Sequence, residues 1–275
     1  MSVVDGVKRR VRRVAGLARW AASGAPTSLP TAPGARTEDG VRVLYLHHST
    51  GERIWRGGIP DLVAERGTPG APPIGIVEWT YPHAPYPWRN DPADYWDLWV
   101  KHRGPRGWQG QASLEMLASA WDVIVVKHCF TASAMVAPGS GRGAGSGRTL
   151  ANYQAQMTDL AAVMREFPAT TFLLWTPPPL VAAATTAAAI EQAEAYAQWL
   201  RDTWQRPGDQ LFLWDFRAIA AADGVLKAEY AAGPRDSHPN AVLAQLAAPL
   251  FVQRLIDVVE GRGHSGALTG DPARG

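Results

Sequence analysis

At 275 residues with 46% hydrophobic composition, the chain is long enough to bury a sizeable core and reads as a folded globular protein. A single cysteine, Cys129, excludes an internal disulfide framework and a thiolate zinc cluster. The net charge of +2 is local in origin: Lys8, Arg9, Arg10, Arg12, Arg13 and Arg19 against Asp5 load the first twenty residues, so the remainder is acidic on balance and offers no field for a nucleic-acid backbone.

In chain order, Val4, Val7, Val11, Val14, Ala18 and Ala21 alternate spacings of three and four with basic residues between them, the pattern of a basic amphipathic helix. Residues 4–21 are therefore expected to touch an anionic membrane surface or a partner protein. Arg19 interrupts an already short apolar stretch, so neither a spanning helix nor a good signal peptide is read here. The expected location is the cytoplasm, peripheral at a membrane if the leader binds one, with secretion left open. Residues 23–40, "SGAPTSLPTAPGARTEDG", have linker composition, and the folded domain is expected over 41–262, followed by a flexible tail over 263–275.

Val41, Val43, Leu44, Tyr45 and Leu46 predict a buried strand that ends abruptly in "HHSTG". An aromatic and proline-rich stretch follows (78–108), expected to be an ordered insertion. Its Trp79, Tyr86 and Trp88 are candidate platforms for a sugar or acyl face, set against the simpler reading of a hydrophobic cluster that fastens a long loop. Arg89, Asp91 and Asp94 there read as solvated or structural. "LEMLASA" (114–120) predicts a helix, "WDVIVVKHCF" (121–130) a buried strand, "GSGRGAGSGR" (139–148) a flexible loop, and 150–167 a helix. "TTFLLWTPPP" (170–179) predicts a strand stopped by prolines, 181–204 an Ala-rich helix, "LFLWDF" (211–216) a strand, and 240–260 a closing helix kinked at Pro249.

Strands separated by helices predict an α/β fold: one doubly wound, mostly parallel sheet in a three-layer sandwich. Such sheets bind ligands outside the carboxyl ends of their strands. Ser49, the Lys127–His128–Cys129 run and "GPRDSHPN" (233–240) then fall on one rim. A serine needs a base to take its proton, and the base needs a third group to fix its tautomer. With Asp236 two places before His238, an extended segment points both side chains the same way.

At these residues the chain resembles the SGNH (GDSL-like) hydrolase superfamily, over roughly 41–260. "HHSTG" stands where the family has its nucleophile block, Gly110 in "GWQGQASLEML" where it has a glycine before a helix, and "RDSHPN" where it has the Asp-His element. The resemblance implies Ser49 as nucleophile, His238 as base and Asp236 as orienting carboxylate. It also implies an oxyanion hole from the backbone of Ser49 and Gly110, with a third donor among Lys127, His128 and Ser133. The family's third block usually reads Gly-x-Asn-Asp, whereas this chain has "KHCFTAS", and its Asp-x-His spacing is tighter than the commoner Asp-x-x-His.

The expected activity is a serine esterase that removes a small O-acyl group, with a small-molecule or carbohydrate ester as substrate and no cofactor. An inactive binding module and an O-acyltransferase on the same scaffold are the alternatives. His47, His48, His128 and His238 permit a metal site, but no His-x-His or His-x-x-x-His spacing supports one, and no metal is expected. Cys129 reads as a small core residue.

Overall fold

A computed structural model describes residues 29–31, 40–65, 72–136 and 147–271. The leader over 4–21, most of the linker and the glycine-rich loop as far as residue 146 lie outside the described residues.

The described elements run in order from β1 (Val41–His47) through α1 (Ser49–Trp55), α2 (Ile59–Glu65), β2 (Ile74–Thr80), α3 (Pro92–Trp96, continuing in a π turn over Asp97–Lys101) and α4 (Leu114–Ala120) to β3 (Val123–Val126). They continue with α5 (Leu150–Met164), β4 (Thr171–Trp175), α6 (Ala187–Thr203), β5 (Leu211–Trp214) and α7 (Phe216–Ala220). Two small hairpins, β6 (Ala221–Ala222) with β7 (Val225–Leu226) and β8 (Ala231–Gly233) with β9 (Asp236–Pro239), precede the long α8 (Ala241–Val259).

Five parallel strands form the central sheet in the order β2-β1-β3-β4-β5. The apolar runs predicted as strands are buried on both faces, and their period of two splits them between two cores. Leu44, Leu46, Ile124, Val126, Phe172, Leu174, Leu211 and Leu213 pack toward α4, α5 and α6. Val43, Tyr45, Val125, Leu173, Trp175 and Trp214 pack toward α1, α2, α7 and α8. Helices thus cover both faces. The strand order reverses between β1 and β3, and that switch point is where such sheets open a crevice for ligands.

Capping side chains mark where helices begin. Ser113, Thr149, Thr186 and Asn240 each accept the backbone N–H three residues on, from Met116, Asn152, Ala189 and Leu243. Thr186 also corrects one expectation: the helix expected over 181–204 starts only at Ala187, preceded by a short 3-10 turn at Ala182–Ala184. The tail expected to be flexible from 263 is held in place as far as residue 271. Asp215 donates its N–H to the Leu268 carbonyl, Trp214 Nε1 donates to Thr269, and the buried Arg254 guanidinium donates to Gly263. Leu29, within the expected linker, packs against the core.

Candidate active site

The segment "DSHPN" builds one half of the site residue by residue. In β9 the side chains alternate, so Ser237 and Pro239 turn inward while Asp236 and His238 share the outer side. Ser237 Oγ accepts the Val181 N–H at 3.0 Å and pins the strand. Asn240 caps α8 and donates to the Glu229 and Ala231 carbonyls, which fixes where the helix leaves the hairpin. Asp236 Oδ1 lies 2.5 Å from His238 Nδ1 and also accepts the His238 backbone N–H at 3.0 Å. Both hydrogen bonds hold the exposed Asp236 carboxyl below the usual carboxylate range.

The other half is the β1–α1 junction, where the strand ends and His48 takes the cap position in extended conformation. Ser49 is the first residue of α1, so helix geometry gives its backbone N–H no partner one turn back. Its hydroxyl lies 2.9 Å from His238 Nε2. The residues at 49 and 238 are 189 positions apart in sequence and meet at the switch point. Phe130 places its ring edge-on to His238, with centroids 4.9 Å apart.

Beneath Ser49 lies a buried polar floor supplied by the end of β3. Lys127 is 3% exposed, and its ammonium has no hydrogen-bond partner of ordinary geometry among the described residues. Burial pushes its pKa down, against an opposing pull from Cys129. His128 is fully buried against Tyr95, neither ring nitrogen has a partner, and burial followed by the Lys127 charge pushes it down to about 3. His47 and His48 are pushed down to about 4 and about 3 by the same two causes. Gly51 lets the lysine pass: a Cβ there would sit 2.5 Å from His47 Cβ and 2.8 Å from Lys127 Cδ.

Cys129, read from the sequence as a small core residue, is buried and also contributes directly to this floor. Its sulfur lies 3.1 Å from Thr50 Oγ1 and 3.6 Å from Ser49 Oγ. Burial alone would raise the thiol, but Lys127 and the hydrogen bonds from Thr50 and Ser49 outweigh it and hold the pKa below its ordinary value. Strand periodicity stops at Val126, so the direction of the next three side chains was not readable from the pattern. Phe130 escaped notice for the same reason.

The three side chains considered as a third oxyanion donor are all buried. Lys127 lies under Gly51, and His128 is sealed in the core. Ser133 donates to the Pro178 carbonyl at 2.7 Å and accepts from Arg217, which commits it to a different network. Gly110 adopts a left-handed φ of +76° in the turn that joins Trp108 and Gln111, a conformation that favours glycine. That turn is tied to the rim through Gln111, whose side chain accepts from and donates to the His83 backbone, both at 2.9 Å.

The aromatic stretch divides into fastening and exposed members. Tyr86 is buried and donates to Asp97 at 3.0 Å, so it is a structural residue and not a platform. Tyr81, Tyr95 and Trp99 are likewise buried: Tyr81 donates to the Ala112 carbonyl, Tyr95 to the Lys127 carbonyl and Trp99 Nε1 to the Tyr81 hydroxyl. Trp88 is 37% exposed and stacks on His48, next to Ser49 in sequence. Trp79 is half-buried and faces a pocket described below. Asp91 and Asp94 are buried: Asp91 pairs with Arg148 and Arg89, while Asp94 accepts the N–H groups of Arg89 and Asn90. Cys129 N–H and Thr131 Oγ1 then donate to the Asn90 and Arg89 carbonyls, which knits this loop to the floor.

No protein-family model matches the chain, and no curated protein does. Among solved structures, a gut microbial diltiazem-metabolizing enzyme is similar, with a TM-score of 0.46 and 13% identity over 83% of this chain and 48% of that one. The chain thus spans about half the length of that structure.

Proposed function

We propose that the chain is a serine esterase of SGNH type, acting on a small O-acyl group. The observation that carries this reading is the line Asp236 Oδ1, His238, Ser49 Oγ, with contacts of 2.5 and 2.9 Å at the sheet's switch point. His238 Nε2 takes the Ser49 proton as the oxygen attacks the ester carbonyl, and Asp236 holds Nδ1 and stabilises the imidazolium. The alcohol leaves with that proton, and His238 then activates the water that releases the acyl group. The Ser49 and Gly110 backbone N–H groups are assigned to the oxyanion; loss of one such donor typically reduces rate by roughly a hundredfold to a thousandfold.

A carbohydrate alcohol is one substrate class that fits, with the exposed Trp88 ring beside Ser49 offering a face to stack on. A second reading, a binding module without turnover, draws on the missing asparagine where the chain reads "KHCFTAS". Transfer of the acyl group to another alcohol uses the same triad.

The test is labelling with a fluorophosphonate probe and turnover of p-nitrophenyl acetate, alongside Ser49→Ala. Both signals are expected in the native chain and lost in the variant. Turnover that survives in Ser49→Ala overturns the reading, and inertness of the native chain in both assays leaves the binding module. Product analysis with an added alcohol separates hydrolysis from transfer.

A further inference from the structure

The residues that flank Ser49 also line a pocket of about 480 Å3 beside the ends of β1 and β2, formed by His47, Glu52, Glu78, Trp79, Thr80 and His83. Glu52 follows Ser49 by three positions and shares its face of α1. The pocket therefore adjoins the nucleophile's helix. Its two carboxylates differ in their partners: Glu52 is paired with Arg56 one turn on, while Glu78 Oε2 lies 2.8 Å from His47 Nε2. His47 is a poor counterion, because burial and the Lys127 charge keep its imidazole neutral. Burial and then Glu52 raise the Glu78 pKa, and the Arg56 charge, already paired with Glu52, offsets them only in part. The Trp79 and His83 rings, 5.6 Å apart, wall the same space.

We propose that this pocket binds an organic ammonium group, with the Glu78 carboxylate as its counterion and the Trp79 ring as a cation–π face. A neutral polyol would fill the volume and leave the half-exposed Glu78 carboxylate to water and the nearby Arg56, whereas a cation engages carboxylate and ring together. Among the described residues no three His, Cys, Asp or Glu side chains converge on a metal position, so the site suits a bulky cation rather than a bare one. Where the esterase reading holds, the ammonium belongs to the alcohol portion of the substrate; this deepens that reading and rests on it for the identity of the ligand as substrate.

Choline and its uncharged isostere 3,3-dimethylbutan-1-ol, with D-glucose as a neutral polyol, are titrated into the full chain carrying Ser49→Ala, with tryptophan fluorescence and ligand NMR as readouts. Choline is expected to bind roughly tenfold more tightly than the isostere or more, and the preference is expected to fall to about threefold, the share of the Trp79 ring, in Glu78→Gln. Trp79→Leu, checked for folding by circular dichroism, is expected to weaken choline at least about threefold, and it carries the test if Glu78→Gln does not fold. Equal affinity for choline and the isostere, or tighter binding of glucose, overturns the proposal. A chain that binds choline in this way but resists the fluorophosphonate probe keeps the pocket and loses the esterase. A chain labelled on Ser49 that treats the two alcohols alike loses the pocket and keeps the esterase.

Discussion

Two buried polar clusters sit at the carboxyl ends of the same sheet and are built on opposite terms. At β4 and β5, the Arg217 guanidinium is 1% exposed and donates to Glu194, Ser133, Pro177 and Gly224. Thr176 and Asp215 extend that network to Arg201, and every hydrogen bond serves the fold. At β1 and β3, Lys127 and His128 are just as buried, yet among the described residues only the Cys129 sulfur offsets the ammonium and neither His128 ring nitrogen has a hydrogen-bond partner. A buried polar group left unpaired costs free energy, so the difference teaches where this chain spends stability: at the rim where Ser49, His238 and Asp236 meet.

The comparison can be broken first at its active end. Ser49→Ala should lower p-nitrophenyl acetate turnover by at least about ten-thousandfold, while its unfolding free energy stays within about 0.5 kcal/mol of the native chain in a urea melt. At the satisfied cluster the effect should reverse. Arg217→Met should reduce unfolding free energy by about 3 kcal/mol, because it strips partners from Glu194, Ser133 and two carbonyls, and loss of activity should follow only the fraction unfolded.

A pH scan sharpens the contrast. The Asp94 carboxyl is pushed up to about 7 by burial and then by Asp91. Its folded pKa therefore lies above the unfolded value, so its stabilising contribution is complete below about pH 4 and is lost as pH rises through 7. Asp94→Asn should flatten that decline by on the order of 4 kcal/mol in melts between pH 4 and 8. The smallest effect has the opposite sign. Lys127→Met should raise stability by about 1 kcal/mol by removing a buried ammonium that only the Cys129 sulfur offsets. A marked loss of stability would mean the floor is as fully paired as its counterpart.

Much of the frame was legible because buried parallel strands are written as short apolar runs, as in residues 123–126, 171–175 and 211–214. Strand β2 was missed for the converse reason: it lies at the sheet edge, carries Gly75 and Glu78, and buries fully only Ile76. "DSHPN" was readable because its spacing of two is a strand's own period. Beyond the strand ends that period lapses, and so the sequence placed Ser133 and Tyr86 near the reacting centre, although their hydroxyls serve Pro178 and Asp97. It also left Cys129 as filler, although its sulfur touches the hydroxyls of Ser49 and Thr50.

The missing side chain at position 51 has a practical result for anyone remodelling this protein. Even alanine there would drive α1 away from the lysine stem beneath it, since the added carbon meets two neighbours inside contact distance. In a saturation library across 47–55, tolerant columns at the outward-facing Arg53 should stand beside an empty one at Gly51. Any remodelling around Ser49 has to proceed around that fixed point.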